Sequence, residues 1–159
     1  MPPRDAVEAT PDPPAAPAGA VGPRDLTALP RLLADDPGIT AALGRTSAVL
    51  AVPEPARAIT VAAVAEASER SPVLLAVPTT LEAERLTRDL GTWLGRGAVE
   101  LFPAWETLPF ERVSPATETM GQRLRVIWRL RQADGGGARL GGRLRVVVAP
   151  VRALVQRLG

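Results

Sequence analysis

Four short apolar runs, each closed by a proline, constrain the architecture of this chain more than any other feature. They are SAVLAVP (47–53), PVLLAVP (72–78), AVELFP (98–103) and LRVVVAP (144–150). Each is almost continuously apolar instead of alternating, the pattern of a strand covered on both faces. Proline cannot donate a ladder hydrogen bond, so the closing prolines belong just outside the sheet. Helical patterns fill the intervals, and strands that alternate with helices imply right-handed crossovers. The expected fold is therefore α/β, an open, doubly wound, mainly parallel sheet of at least four strands. Ligands of such sheets approach the carboxyl ends of the strands, the edge where all four prolines fall.

The helices are legible from caps and periodicity. Glu54 to Arg70 has Pro55 in its first turn and a small-residue stripe of Ile59, Ala63 and Ala67, with Glu66, Glu69 and Arg70 turned outward. Thr79 and Glu82 have capping-box spacing; Leu86, Leu90, Trp93 and Leu94 then fall on one face until Gly95 supplies a stop. A further helix starts at Ser114-Pro115 or Thr117 and fades at Ala133. Its Met120, Leu124, Ile127 and Trp128 share a face, and Arg125 and Arg129 stack one turn apart on another side. Val151, Leu154, Val155 and Leu158 open a last helix that is cut off at Gly159. Leu26–Leu33 and Pro37–Leu43 suggest a short helical pair before the first strand.

Residues 25–159 thus read as one α/β domain, truncated at its C-terminal end, behind a Pro/Ala-rich tail at 1–24. Met1 to Pro23 contain seven prolines, six alanines and no large apolar residue except Val7 and Val21, too little to offset the entropy of ordering, so disorder is expected there. Arg4 is followed by Asp5 and Glu8 and by no continuous apolar run, which argues against a secretory signal. No stretch approaches the roughly 18 apolar residues of a membrane helix, so the expectation is a soluble, cytoplasmic protein without membrane contact.

Missing residue types narrow the chemistry. There is no Cys, His, Tyr or Lys, and all nineteen cations are arginines. The usual zinc sites, thiol nucleophiles, serine triads and near-neutral proton shuttles disappear together, leaving carboxylates as the only acid–base groups. The net charge of +2 hides an asymmetry: residues 1–120 carry ten Arg against sixteen Asp and Glu, whereas 121–159 carry nine Arg against Asp134 alone. That basic quarter can face phosphate, an acidic partner, or the acidic part of its own fold. Arg123, Arg125, Arg129, Arg143 and Arg145 are the candidate nucleic-acid or partner residues.

The turn after the first run is where a phosphate-binding loop would sit. Such a loop needs glycines whose N–H groups turn inward, a lysine for the outer phosphates and a hydroxyl for magnesium. Here it holds Pro53, Glu54, Pro55, Arg57 and Ala58. The prolines delete two donors, Glu54 puts negative charge where phosphate would lie, and Ala58 has no hydroxyl. No nucleotide site, metal site or catalytic residue is expected in this chain. Gly135–Gly142 precedes a strand instead of following one and reads as a connector. Asp35-Asp36 read as a helix start, and Glu82 and Glu84 as a solvated helix face.

The stretch LFPAWETLPFERVSP (101–115) holds three of the five aromatics, Phe102, Trp105 and Phe110, among prolines. They can stack on bases or a partner, or fold back and plug the end of the sheet; Leu101 and Leu108 favour the plug.

These residues resemble a specific family. FPAWETLPFERVSP, a helix with Glu118, Arg123, Leu124 and Leu130 at E-x-x-x-x-R-L-x-x-x-x-x-L spacing, and VVVAPVRALVQR are similar to the N-terminal region of bacterial transcription-repair coupling factors, over roughly Leu26 to Gly159. The resemblance implies a module like the excinuclease B subunit, with a helicase-like fold whose phosphate loop has decayed. Arg57 then stands in the place of the catalytic lysine and Ala58 in that of the magnesium-binding hydroxyl. It also implies a parent hydrolase for DNA repair that uses ATP and magnesium to move on duplex DNA, releases stalled RNA polymerase and recruits the damage-recognition subunit of the excision nuclease. The expected role of this chain is a non-catalytic scaffold that positions the module after it. The alternative is a free-standing doubly wound domain that binds nucleic acid through the arginine-rich face.

Overall fold

The computed structural model describes residues 26–106, 116–134 and 142–156. The expected tail at 1–24 lies outside these residues, as do Leu108 and Phe110 of the aromatic stretch, most of the glycine run and Leu158 of the expected last helix.

The chain is mixed α/β with a small parallel sheet. Its strands are β1 (Val73–Val77), β2 (Val99–Leu101) and β3 (Val146–Pro150), in the order β1-β3-β2. Val146 of β3 lies beside Val73 on one side and Val99 on the other, so β3 is central. All five of its residues are buried. Side chains alternate across a strand, and here Val146 and Val148 enter one apolar cluster while Val147 and Ala149 enter another. Neither face can be polar, which is why VVVAP reads as an unbroken apolar run.

The first cluster is built by α3 (Arg57–Ala67) and α4 (Thr80–Leu94). In α3 the buried positions are Ala58, Ala62, Ala63 and Ala65, small enough to bring the helix close to its neighbours. The buried face is thus turned from the expected Ile59-Ala63-Ala67 stripe, and Ile59 is only half-buried. In α4 the Thr79 side chain accepts the Glu82 N–H at 3.2 Å, the cap expected from their spacing. Ala83, Leu86 and Leu90 point inward, and the helix stops at Gly95, whose φ of 85° suits only glycine without strain. Leu90 is closed to solvent, so truncating it to Ala removes roughly 2–5 kcal/mol of stability. Two short helices, α1 (Leu29–Ala34) and α2 (Pro37–Leu43), lie beside α3, and Asp36 caps α2 by accepting the Gly38 N–H at 2.8 Å.

The second cluster joins the other face of β3 to α5 (Thr117–Asp134) and α6 (Val151–Val155) through Val126, Leu144, Phe102 and Ala153.

Two expectations need correction. The run 47–53 is not a strand: residues 48–53 have no regular structure, and Val49 is 95% exposed. A strand outside β1 would lie past the second helical layer, which already leaves Leu74 of β1 57% exposed. Half of its apolar side chains would gain little burial there. On α5, Met120, Leu124 and Trp128 do share a face, but that face is open to solvent; Thr119, Arg123, Val126 and Arg129 are the buried residues. Ile127, expected on the same face, packs inward with Val126 and Leu130, and the inward arginines beside them find partners on β2 and in the loops.

Candidate functional site

The turn into α3 is a short 3-10 helix, Glu54–Ala56, with Pro55 in its first turn. Arg57 begins α3 and sends Nη1 to Oε1 of Glu82 at 3.0 Å, while Glu54 accepts from Arg85 at 2.7 Å. Arg85 Nε also lies 3.8 Å from Asp89. These crossed pairs tie the turn to α4 and line a partly open pocket of about 40 Å³, space on the scale of a water molecule. The pairs are substantially exposed, so each contributes at most about 1 kcal/mol; they fix geometry more than they stabilise. Ala58, at the position where a magnesium hydroxyl would be needed, is buried.

The candidate arginines part company in space. Arg123 is 1% exposed, its guanidinium 4.1 Å from the Phe102 ring centroid and 4.4 Å from that of Trp105, and Nη1 donates to the Pro103 carbonyl at 2.6 Å. Burial lowers its pKa, yet an arginine stays charged at neutral pH. Arg129 is 8% exposed; it donates to Glu100 Oε1 at 2.9 Å and to the Gly97 and Gly142 carbonyls at 2.6 and 3.2 Å. Arg145 pairs with Glu66 at 3.4 Å and donates to the Ala65 carbonyl. Arg125 is largely exposed, 3.5 Å from Glu100, and Arg143 is exposed. Three of the five therefore tie the basic last quarter to carboxylates and carbonyls of the fold itself, and two face outward.

The Phe102-to-Glu106 segment folds back onto the sheet end. Phe102 is buried, and Trp105 forms a reciprocal pair with Gln156 beyond α6: its N–H donates to Oε1 at 2.8 Å and its carbonyl accepts from Nε2 at 3.3 Å. Glu106 sits before α5 and accepts from the Thr119 hydroxyl and the backbone N–H groups of Glu106 and Ala116. These bonds, led by Thr119, hold its carboxyl below the usual range. Among the described residues no three His, Cys, Asp or Glu side chains group as metal ligands, and no helix is long and apolar enough to cross a membrane.

No protein-family model matches the chain. Curated proteins do. The "Transcription-repair-coupling factor" of Mycobacterium tuberculosis and that of Mycobacterium bovis are each 42% identical over 107 residues, 67% of this chain. The protein of the same name from Haemophilus influenzae is 37% identical over 98 residues. The chain is homologous to the transcription-repair-coupling factors. It spans only 8% of the length of each of these relatives.

The homology to coupling factors agrees with the resemblance carried by the aromatic stretch and the helix after it. Sequence reasoning missed Glu100, the carboxylate shared by Arg125 and Arg129, and Gln156, the anchor of Trp105. Glu100 did leave a signal, as the lone charge inside an apolar run.

Proposed function

We propose that the chain is a non-catalytic scaffold from the N-terminal region of a transcription-repair coupling factor, helicase-like and doubly wound, with a decayed phosphate loop. One observation carries the reading: the turn before α3 presents two prolines and a carboxylate, and its only cation is already engaged with Glu82. A triphosphate there would meet Glu54 instead of amide donors and an ammonium group. The inward arginines support the same role, since they hold loops and strand ends in place.

For the parent protein the proposal is an ATP- and magnesium-dependent translocase on duplex DNA in the cytoplasm, acting on stalled RNA polymerase and on the damage-recognition subunit of excision repair. The ATP site and motor would be supplied by other parts of that parent.

The test is titration of the purified chain with a fluorescent ATP analogue and magnesium into the millimolar range, with and without duplex DNA, alongside an assay of phosphate release. No binding and no turnover are expected. Saturable binding that Arg57→Ala abolishes overturns the scaffold reading. The family assignment is tested separately: coding sequence beyond codon 159 should specify a GK[ST] loop and a DE box, and a frame without them contradicts it.

A further inference from the structure

An amphipathic helix normally keeps its apolar residues to one buried stripe; α5 packs Val126, Ile127 and Leu130 inward and carries a second apolar line outward. Met120, Leu124 and Trp128 stand one turn apart in a line along its outer side, 41, 60 and 41% exposed. Three large side chains in register on one helix are the anchors that helix-in-groove and helix-on-helix recognition uses.

The charges beside that line set the occupant. Between Glu118 and Asp134, which lie at its two ends, the helix has four arginines and no carboxylate. Arg123 and Arg129 turn inward, so Arg125 and Arg131 remain outward, flanking the apolar line. Arg125 has only a 3.5 Å approach to Glu100, whose other oxygen Arg129 already holds. We infer that the outer face of α5 is a docking surface for an acidic amphipathic helix of a partner protein, its apolar residues on Met120, Leu124 and Trp128 and its carboxylates on Arg125 and Arg131.

Two other occupants fit less well. A second copy packed face to face would bring the same arginines together, and like charges across an interface are repulsive. Duplex DNA rewards many phosphate contacts, about 6–10 in strong binders. Two outward arginines around an apolar line meet that need poorly and meet a short carboxylate-flanked helix well. The surface stands on α5 alone, whichever family reading holds.

The probe is a labelled synthetic peptide with leucines at i, i+3, i+4 and i+7 and glutamates on both flanks, read by fluorescence anisotropy against the full 159-residue chain. A scrambled peptide of equal composition is the control. The helical peptide is expected to bind and the scrambled one not. Trp128→Ala and Leu124→Ala should each weaken binding about tenfold or more, as central anchors do. Arg131→Glu should weaken it several-fold at low salt and less at high salt. All three positions are solvent-facing, and circular dichroism of each variant confirms that the fold persists. The inference is overturned if neither peptide binds, if both bind equally, or if the variants bind as the parent does. Displacement of the peptide by duplex DNA also overturns it, as does a concentration-dependent dimer that Trp128→Ala abolishes.

Discussion

Arg129 on α5 reaches Glu100 on β2, Nη1 to Oε1 at 2.9 Å, with both side chains almost closed to solvent. A pair this buried gives up hydration on both sides, and its worth lies in what happens when one member is lost. Glu100→Gln leaves Arg129 with carbonyls but no counter-charge and should cost roughly 3–5 kcal/mol in urea unfolding. Replacing both, as Glu100→Leu with Arg129→Met, should recover most of that loss. A double variant no better than the single one argues against this pairing.

Arg123 tests a different interaction. Lysine keeps the charge but loses the planar contact with Phe102 and Trp105 and the aimed bond to Pro103. Arg123→Lys should therefore cost about 1–2 kcal/mol, and Arg123→Ala roughly twice that, because it also leaves a carbonyl without its donor. Tryptophan emission should shift to longer wavelength in both variants as Trp105 gains water. Unchanged emission and stability would place Arg123 outside the ring sandwich.

Glu106 gives the chain a sign-defined pH response. Its folded pKa is depressed, chiefly by the Thr119 hydroxyl. A carboxyl of this kind contributes stability that is complete above its unfolded pKa, ~4.3, and lost as pH falls through the lower folded value. Stability should therefore decline at the acid end of a titration, and Glu106→Gln should make that decline shallower, because it lowers stability near neutrality and changes little below the folded value. An acid limb of equal steepness in the variant removes Glu106 from the account.

Local rules made much of the fold legible. Thr79 and Glu82 announced the start of α4 and Gly95 its end, because capping depends on residues three or four apart. The unbroken apolar run before Pro150 announced a strand covered on both sides. What could not be read locally was which side of α5 meets the sheet. Periodicity shows which residues share a face; it does not show that Glu100, Gly97 and Gly142, distant in sequence, will gather around Arg129. The run 47–53 misled for the opposite reason. Its pattern is that of a strand, but pairing needs a neighbour and a cover, and the second helical layer does not extend that far. The turn at Pro53 to Ala58 was readable in its chemistry, whereas its ties to Glu82 and Arg85 depend on how α4 lies beside it.

The orientation of α5 underlies the internal arginine network and the outer docking face together, and the lack of native cysteine allows it to be measured cleanly. Single cysteines at 120, 124, 126 and 128, each in turn, can be labelled with a thiol reagent under native conditions and the rates compared with those in denaturant. The account predicts that Met120→Cys, Leu124→Cys and Trp128→Cys react at close to the unfolded rate, while Val126→Cys, at a fully buried position, is protected by orders of magnitude. Protection at 120, 124 and 128 with free reaction at 126 would show the apolar stripe facing the sheet, and would contradict it.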